Sequence, residues 1–140
     1  MLRHVAGIAE IVEDIEAAVN FYRDVLQLTV EFEEGSGYAD VMITGVLHFG
    51  IWSRTRAAEV IYGDVKAVDR VPLGFTIGFE VDDVLKVSEV IRSQEGRMIQ
   101  APKDETWGQR TSRFFSLSGA LFELSETPTS RKIIQPVKAI

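Results

Sequence analysis

The chain has no cysteine. Disulfides, thiolate nucleophiles and zinc–sulfur sites are therefore excluded, and the absence fits a reducing compartment. Histidine is nearly missing too, with two residues in 140. Prolines number four, while 46% of the residues are apolar, so a core can form and a disordered chain is not expected. No apolar run approaches the roughly 20 residues that a membrane-crossing helix needs. The opening stretch "MLRHVAGIAEIVED" reaches its acids without a long apolar segment, so no signal peptide is expected. Basic residues are outnumbered: the formal net charge is −6. That argues against nucleic acid or an anionic membrane as partner, since either needs clustered Lys and Arg. The basic bias is confined to the tail from Arg131 to Lys138. A Gly-rich phosphate loop, a nucleophile elbow and a His-Glu-x-x-His motif are all absent. The expectation is a cytoplasmic single domain, or one built from two halves.

What the sequence does contain is a repeated order of elements. Residues 5–34 open with an apolar strand, meet Glu13 and Asp14, and turn helical, with Ile15, Ala18, Val19, Tyr22 and Leu26 at helical spacing. Asp14 is the expected N-cap, and "LTVEFEE" then alternates as a strand. Residues 74–102 repeat this order. Phe75, Ile77, Phe79 and Val81 alternate, Asp82 and Asp83 cap, and Val84, Val87, Val90 and Ile91 take up the helical period. Gly96 is the expected C-terminal cap, followed by a strand from "RMIQA". Further strands are expected at 38–45 and 46–53 in the first half, and at 110–117 and 120–126 in the second.

The fold class is therefore α+β, with two β-α-β-β-β modules at 1–53 and 74–126. A linker at 54–73, with a short helical turn near Ala57–Ile61, and a tail at 127–140 complete the chain. Each sheet packs one face on its helix and leaves the other bare. Side by side, the bare faces form one curved mixed sheet around a shared cavity, a natural small-molecule site.

Three stretches carry a family likeness: "VEDIEAAVNFYRDVLQLTVEFEE", "FEVDDVLKVSEVIRSQEGRMIQAP" and "WGQRTSRFFSLSGALFELSE". Over roughly residues 5–126 the chain resembles the vicinal oxygen chelate superfamily of glyoxalases, bleomycin resistance proteins and extradiol dioxygenases. "FYRDVLQL" resembles the family phrase except that Gln27 stands where glycine is common. "FSLSGALFEL" keeps only Gly119 of the family's Asp-Pro-Asp-Gly. The resemblance implies metal ligands on the first and fourth strand of each half, each between apolar neighbours. It places Gly7, His48, Thr76 and Glu123 at those positions. Glycine has no donor atom and threonine is a poor neutral ligand, so no resident metal is expected. A divalent ion (Zn, Ni, Mn or Fe) held by His48, Glu123 and water is the alternative.

The candidate ligand-binding residues are His48, Trp52, Thr76, Trp107, Arg110, Phe114 and Glu123. His48 and Glu123 are the candidate acid–base pair, each weighed against an ordinary strand residue that is satisfied where it stands. Gly7, Gly50, Thr76 and Gly78 either leave room for a ligand or serve sheet packing. Trp107 would stack on a flat ligand while Arg110 binds an anionic group, unless these residues fill the core or a dimer contact. Tyr38 and Phe32 are weaker by strand parity, and Glu13, Asp14, Asp82 and Asp83 read as helix-end charges. The expected function is metal-independent binding of an antibiotic-like or amphipathic small molecule. A metal-dependent lyase, isomerase or dioxygenase and a non-catalytic regulatory or dimerisation module are the alternatives. A homodimer is implied by the resemblance.

Overall fold

In a computed structural model of the chain, residues 2–94 and 96–128 are described. The elements run β1 (Leu2–Val12), α1 (Ile15–Asp24), β2 (Thr29–Phe32), β3 (Tyr38–Met42), β4 (Phe49–Ser53), α2 (Arg54–Tyr62) and a 3-10 turn over Val65–Arg70. They continue with β5 (Gly74–Val81), α3 (Val84–Ser93), β6 (Arg97–Asp104), β7 (Arg110–Phe115) and β8 (Leu121–Glu126). All eight strands join one curved mixed sheet in the order β2-β3-β4-β1-β5-β8-β7-β6. The first strands of the two halves meet antiparallel at its centre, and each pairs in parallel with the fourth strand of its own half. The α+β class and the two-half architecture stand as expected.

α1 and α3 each start where an acid can satisfy unpaired N–H groups. Asp14 accepts from Ala17 N at 3.0 Å, and Asp83 accepts from Lys86 N at 3.1 Å. The other acids of those turns form ion pairs, Glu13 with Arg54 and Asp82 with Arg3, both at 2.7 Å. α1 buries Val19 and Tyr22 against Val30, Ala39, Val41 and Ile51. α3 buries Val84 and Val87 against Val81 and Leu124. The two helices end differently. After α1, Leu28 N donates to Tyr22 O at 3.0 Å, which brings Gln27 to φ 57°, a left-handed conformation that glycine adopts without strain. After α3, Gly96 N donates to Ile91 O at 2.8 Å, and a Cβ on Gly96 would lie 2.3 Å from the Ile91 side chain. Gly96 is thus required by close approach rather than by a left-handed backbone.

The 54–73 segment is more structured than a helical turn near Ala57–Ile61. Ser53 caps α2 by accepting from Arg56 N at 3.1 Å, and Gly63 ends it at φ 71°. Ala57, Ala58 and Ile61 then bury together with Ala67, Val71, Ile11 and Leu121. Ile11 shares its strand face with Gly7 and Ala9, so this cluster fills one end of the concave side. The hydrophobic period is hard to see in the sequence because two of the three buried residues of α2 are small alanines. Strands β3 and β4 are also shorter than 38–45 and 46–53. Residues 43–48 are a turn, with Gly45 at φ 98°. The expectation for the tail at 129–140 lies outside the described residues.

Candidate functional site

Because side chains alternate across a strand, the face opposite α1 and α3 collects every second residue of β1, β4, β5, β7 and β8. Beside the α2 plug this concave face keeps a hollow of about 430 Å³ within a single chain. Its floor is the central strand pair, where Gly7 stands opposite Gly78 and Ala9 opposite Thr76. Tyr38 and Trp52, paired across β3 and β4, wall it from the first half. Arg113, Glu123 and Ser125 wall it from the second half, Trp107 and Gln109 from the turn before β7, and Arg56 and Val60 from α2.

The polar centre is a buried network. Arg113, 2% exposed, donates to Glu123 Oε2 at 2.5 Å and to Gln100 Oε1. Its guanidinium also lies 5.5 Å from the centre of the Trp52 ring, within cation–π range. Gln100 Nε2 in turn donates to Thr111 O and Thr111 Oγ1, both at 3.2 Å. The carboxylate of Glu123 is therefore held on one side by a charge and still reaches the hollow, with Oε1 about a van der Waals contact from where a Gly78 side chain would begin, at 3.5 Å. A second chain of bonds steadies the outer wall. Trp107 Nε1 donates to Gln109 Oε1 at 2.9 Å and Gln109 Nε2 to Thr127 Oγ1 at 2.8 Å. Thr127 Oγ1 donates to the buried Glu80 at 2.8 Å.

On the first-half wall, Tyr38 is laid across Gly50. A Cβ on Gly50 would fall 2.1 Å from the Tyr38 hydroxyl, so only glycine fits beneath that ring. Burial first, then the charges of Asp40 and Glu123, push the Tyr38 phenol well above its ordinary value. Its hydroxyl thus keeps its proton as a neutral hydrogen-bonding group.

Of the residues named from sequence, His48, Trp52, Thr76, Trp107 and Glu123 all line this hollow. Arg110 and Phe114 do not. Ser112, which lies between them, bonds Ser88 of α3 at 2.7 Å, and the even-numbered residues of β7 share its helix-facing side. Phe114 packs in the α3 cluster, 5.5 Å from the Phe122 ring, while Arg110 pairs with Asp104 at 2.9 Å outside the hollow. The bond to Asp104 and its charge raise the Arg110 pKa above the ordinary value. The odd-numbered Arg113 is the cation that faces inward. Its signal was its register opposite Glu123, which needs the hairpin between β7 and β8 to be placed first. Tyr38 belongs to the wall after all, whereas Phe32 packs under α1.

The sheet register also corrects the placement of His48 as the positional counterpart of Glu123. Ile8 aligns with Phe49 and Ile77 with Phe122, so the first-half counterpart of Glu123 is Gly50. His48 precedes β4 by one residue, is exposed, and accepts from Ile8 N at 3.0 Å through its carbonyl. The sequence "LHF" looks like "FEL", but the 43–48 turn shifts it by two residues along the same face. The four equivalent positions thus hold Gly7, Gly50, Thr76 and Glu123. Thr76 Oγ1 already donates to Leu121 O at 2.7 Å, and Glu123 already accepts from Arg113. Among the described residues no group of three or more His, Cys, Asp or Glu side chains could hold a metal ion. These residues do not fit a resident divalent cation.

An eight-stranded sheet of two repeated halves curved around a hollow defines the vicinal oxygen chelate class of folds. Residues 5–128 match the glyoxalase-like domain family, and the chain belongs to that family. A search of curated proteins found no match. Among solved structures, a variant of methylmalonyl-CoA epimerase from Streptomyces coelicolor, in complex with 2-nitronate-propionyl-CoA, is similar at TM-score 0.62 and 21% identity, with 100% of both chains covered. A glyoxalase/bleomycin resistance protein/dioxygenase superfamily member from Vibrio splendidus is similar at TM-score 0.61 and 18% identity, covering 90% of this chain and 99% of that one. A hypothetical protein from Bacillus halodurans gives TM-score 0.61 and 19% identity, with 89% and 94% covered. At these identities the likeness is one of fold, and function rests on the site. No helix among the described residues is long and apolar enough to cross a membrane.

Proposed function

We propose that this protein binds a flat, amphipathic small molecule without a metal. One observation carries the reading: the floor of the hollow is made of Gly7, Ala9 and Gly78, and its carboxylate is already satisfied by a buried arginine. Small floor residues leave volume where a side chain would otherwise stand. Trp52, Trp107 and Tyr38 offer rigid aromatic surface above it, with polar groups few and fixed, as small-molecule sites require. Stacking on such rings favours a planar ligand by about 1 kcal/mol per ring beyond area burial. Glu123 Oε1 supplies an acceptor for one ligand N–H or O–H.

The test uses 2-naphthol as a neutral planar probe and EDTA-treated protein, read by quenching of tryptophan fluorescence. Saturable one-to-one binding is expected, unchanged by added Zn, Ni, Mn or Fe(II), and weakened several-fold in Trp107→Ala. Binding that appears only after a metal is restored would overturn the proposal and favour a metal-dependent lyase, isomerase or dioxygenase. The homodimer belongs to the same reading. Val5 and Phe75 stand 47% and 56% exposed on the central strands, on the face turned away from the hollow, where a second copy would cover them. Sedimentation of the wild type against Phe75→Lys distinguishes dimer from monomer.

A further inference from the structure

A second hollow of about 500 Å³ adjoins the first. Tyr38 and Arg56 belong to the walls of both, so the two are separated by one layer of side chains. Their linings differ in kind. The first is aromatic and small, whereas the second is bordered by the 35–37 turn and by Ser36, Ser53, Thr55 and Glu59. Its hydroxyls are only partly used. Ser53 Oγ accepts from Arg56 N and keeps its own proton to donate, while Ser36 Oγ donates to Tyr38 O and keeps lone pairs to accept.

Charge narrows the ligand further. Both arginines that border these hollows already have carboxylate partners, Arg113 with Glu123 and Arg56 with Glu59. An anionic group would meet only arginines already neutralised by a carboxylate, in a chain of net charge −6. A neutral arm need only join hydroxyls that have capacity to spare. We propose, resting on the binding function above, that the ligand is bipartite. A planar apolar body occupies the first hollow, and a neutral arm rich in hydroxyl or amide groups passes the Tyr38–Arg56 ridge into the second.

Calorimetry with three probes tests this: 2-naphthol, 2-naphthyl β-glucoside and 2-naphthyl phosphate, all in EDTA. The glucoside is expected to bind roughly tenfold tighter than 2-naphthol, the gain of one or two net hydrogen bonds. The phosphate is expected to bind no tighter than 2-naphthol. In Thr55→Trp, which fills the second hollow from an exposed position on α2, the ratio of glucoside to naphthol affinity falls to about one. Equal affinities in the wild type, a phosphate that outbinds the glucoside, or an unchanged ratio in Thr55→Trp each overturns the bipartite ligand while leaving the planar site intact. Failure of 2-naphthol itself removes both proposals.

Discussion

The two halves share one fold and differ at the same place on it. In the second half the inward position on the fourth strand is Glu123, bonded to buried Arg113, which also donates to Gln100. In the first half that position is Gly50, and the ring of Tyr38 from the neighbouring strand lies over it. One side of the hollow is therefore built by an ion pair and the other by an aromatic ring over a missing side chain. Equivalent backbones thus tolerate unlike solutions, because the sheet specifies only which residues face inward. Neighbouring strands then decide what fills the space.

The largest expected effect breaks the charged side. Arg113→Met leaves Glu123 facing the hollow without its cation and costs about 3–5 kcal/mol of unfolding free energy, read by urea denaturation. The double variant Arg113→Met with Glu123→Leu should recover much of that loss, since replacing both partners by apolar groups removes the uncompensated charge. No recovery in the double variant would mean that packing, not charge, governs this wall. Next comes the aromatic side. Gly50→Ala places a methyl against the Tyr38 hydroxyl and should cost about 1–3 kcal/mol, and Tyr38→Ala in the same chain should relieve it. A Gly50→Ala variant as stable as wild type would sink the close-approach account.

A smaller effect, of opposite sign, lies at the unlike helix ends. Gln27→Gly relieves a left-handed backbone and should stabilise by about 0.5–1 kcal/mol. Gly96→Ala, at the matching end of α3, should destabilise by contact with Ile91. Thermal midpoints of the two variants that move the same way would contradict the distinction. The last effect is invisible near neutrality. Tyr38 and Tyr22 have phenols raised above 10.0 in the folded chain, chiefly by burial and then by Asp40 and Glu123 for the first and Glu10 for the second. A raised acid group favours the fold while the unfolded tyrosine keeps its proton. Their contribution to stability should thus be constant up to about pH 10 and be lost above it, so the fall in stability above that pH should be shallower in Tyr38→Phe.

Much of the architecture was legible because it rests on local rules. Asp14 and Asp83 cap helices, and Phe75, Ile77, Phe79 and Val81 alternate. The order of elements repeats, so two halves and a hollow between them followed. His48, Thr76 and Glu123, named by strand alternation within the family likeness, line the hollow, and so do Trp52 and Trp107, the latter named from the likeness of its loop. At β7 the family likeness of the "WGQR" stretch suggested Arg110 and Phe114 and left Arg113 out. Strand alternation also failed to resolve depth, so His48 stood in for Gly50. α2 was seen only as a turn, because Ala57 and Ala58 give a weak apolar stripe that becomes decisive only when Ile11 and Leu121 lie against it.

The sequence by itself determined the repeat, the helix caps, the alternation of strands, and the lack of a strong metal ligand at Gly7 and Thr76, since these depend on residue identity and on neighbours within a few residues. The tertiary structure alone decided that Arg113 neutralises Glu123, that Tyr38 covers Gly50, and that the connecting helix plugs one end of the concave face. Those contacts join residues 10 to 64 positions apart. The register that brings them together is set by strand pairing across the whole sheet, which no local pattern encodes.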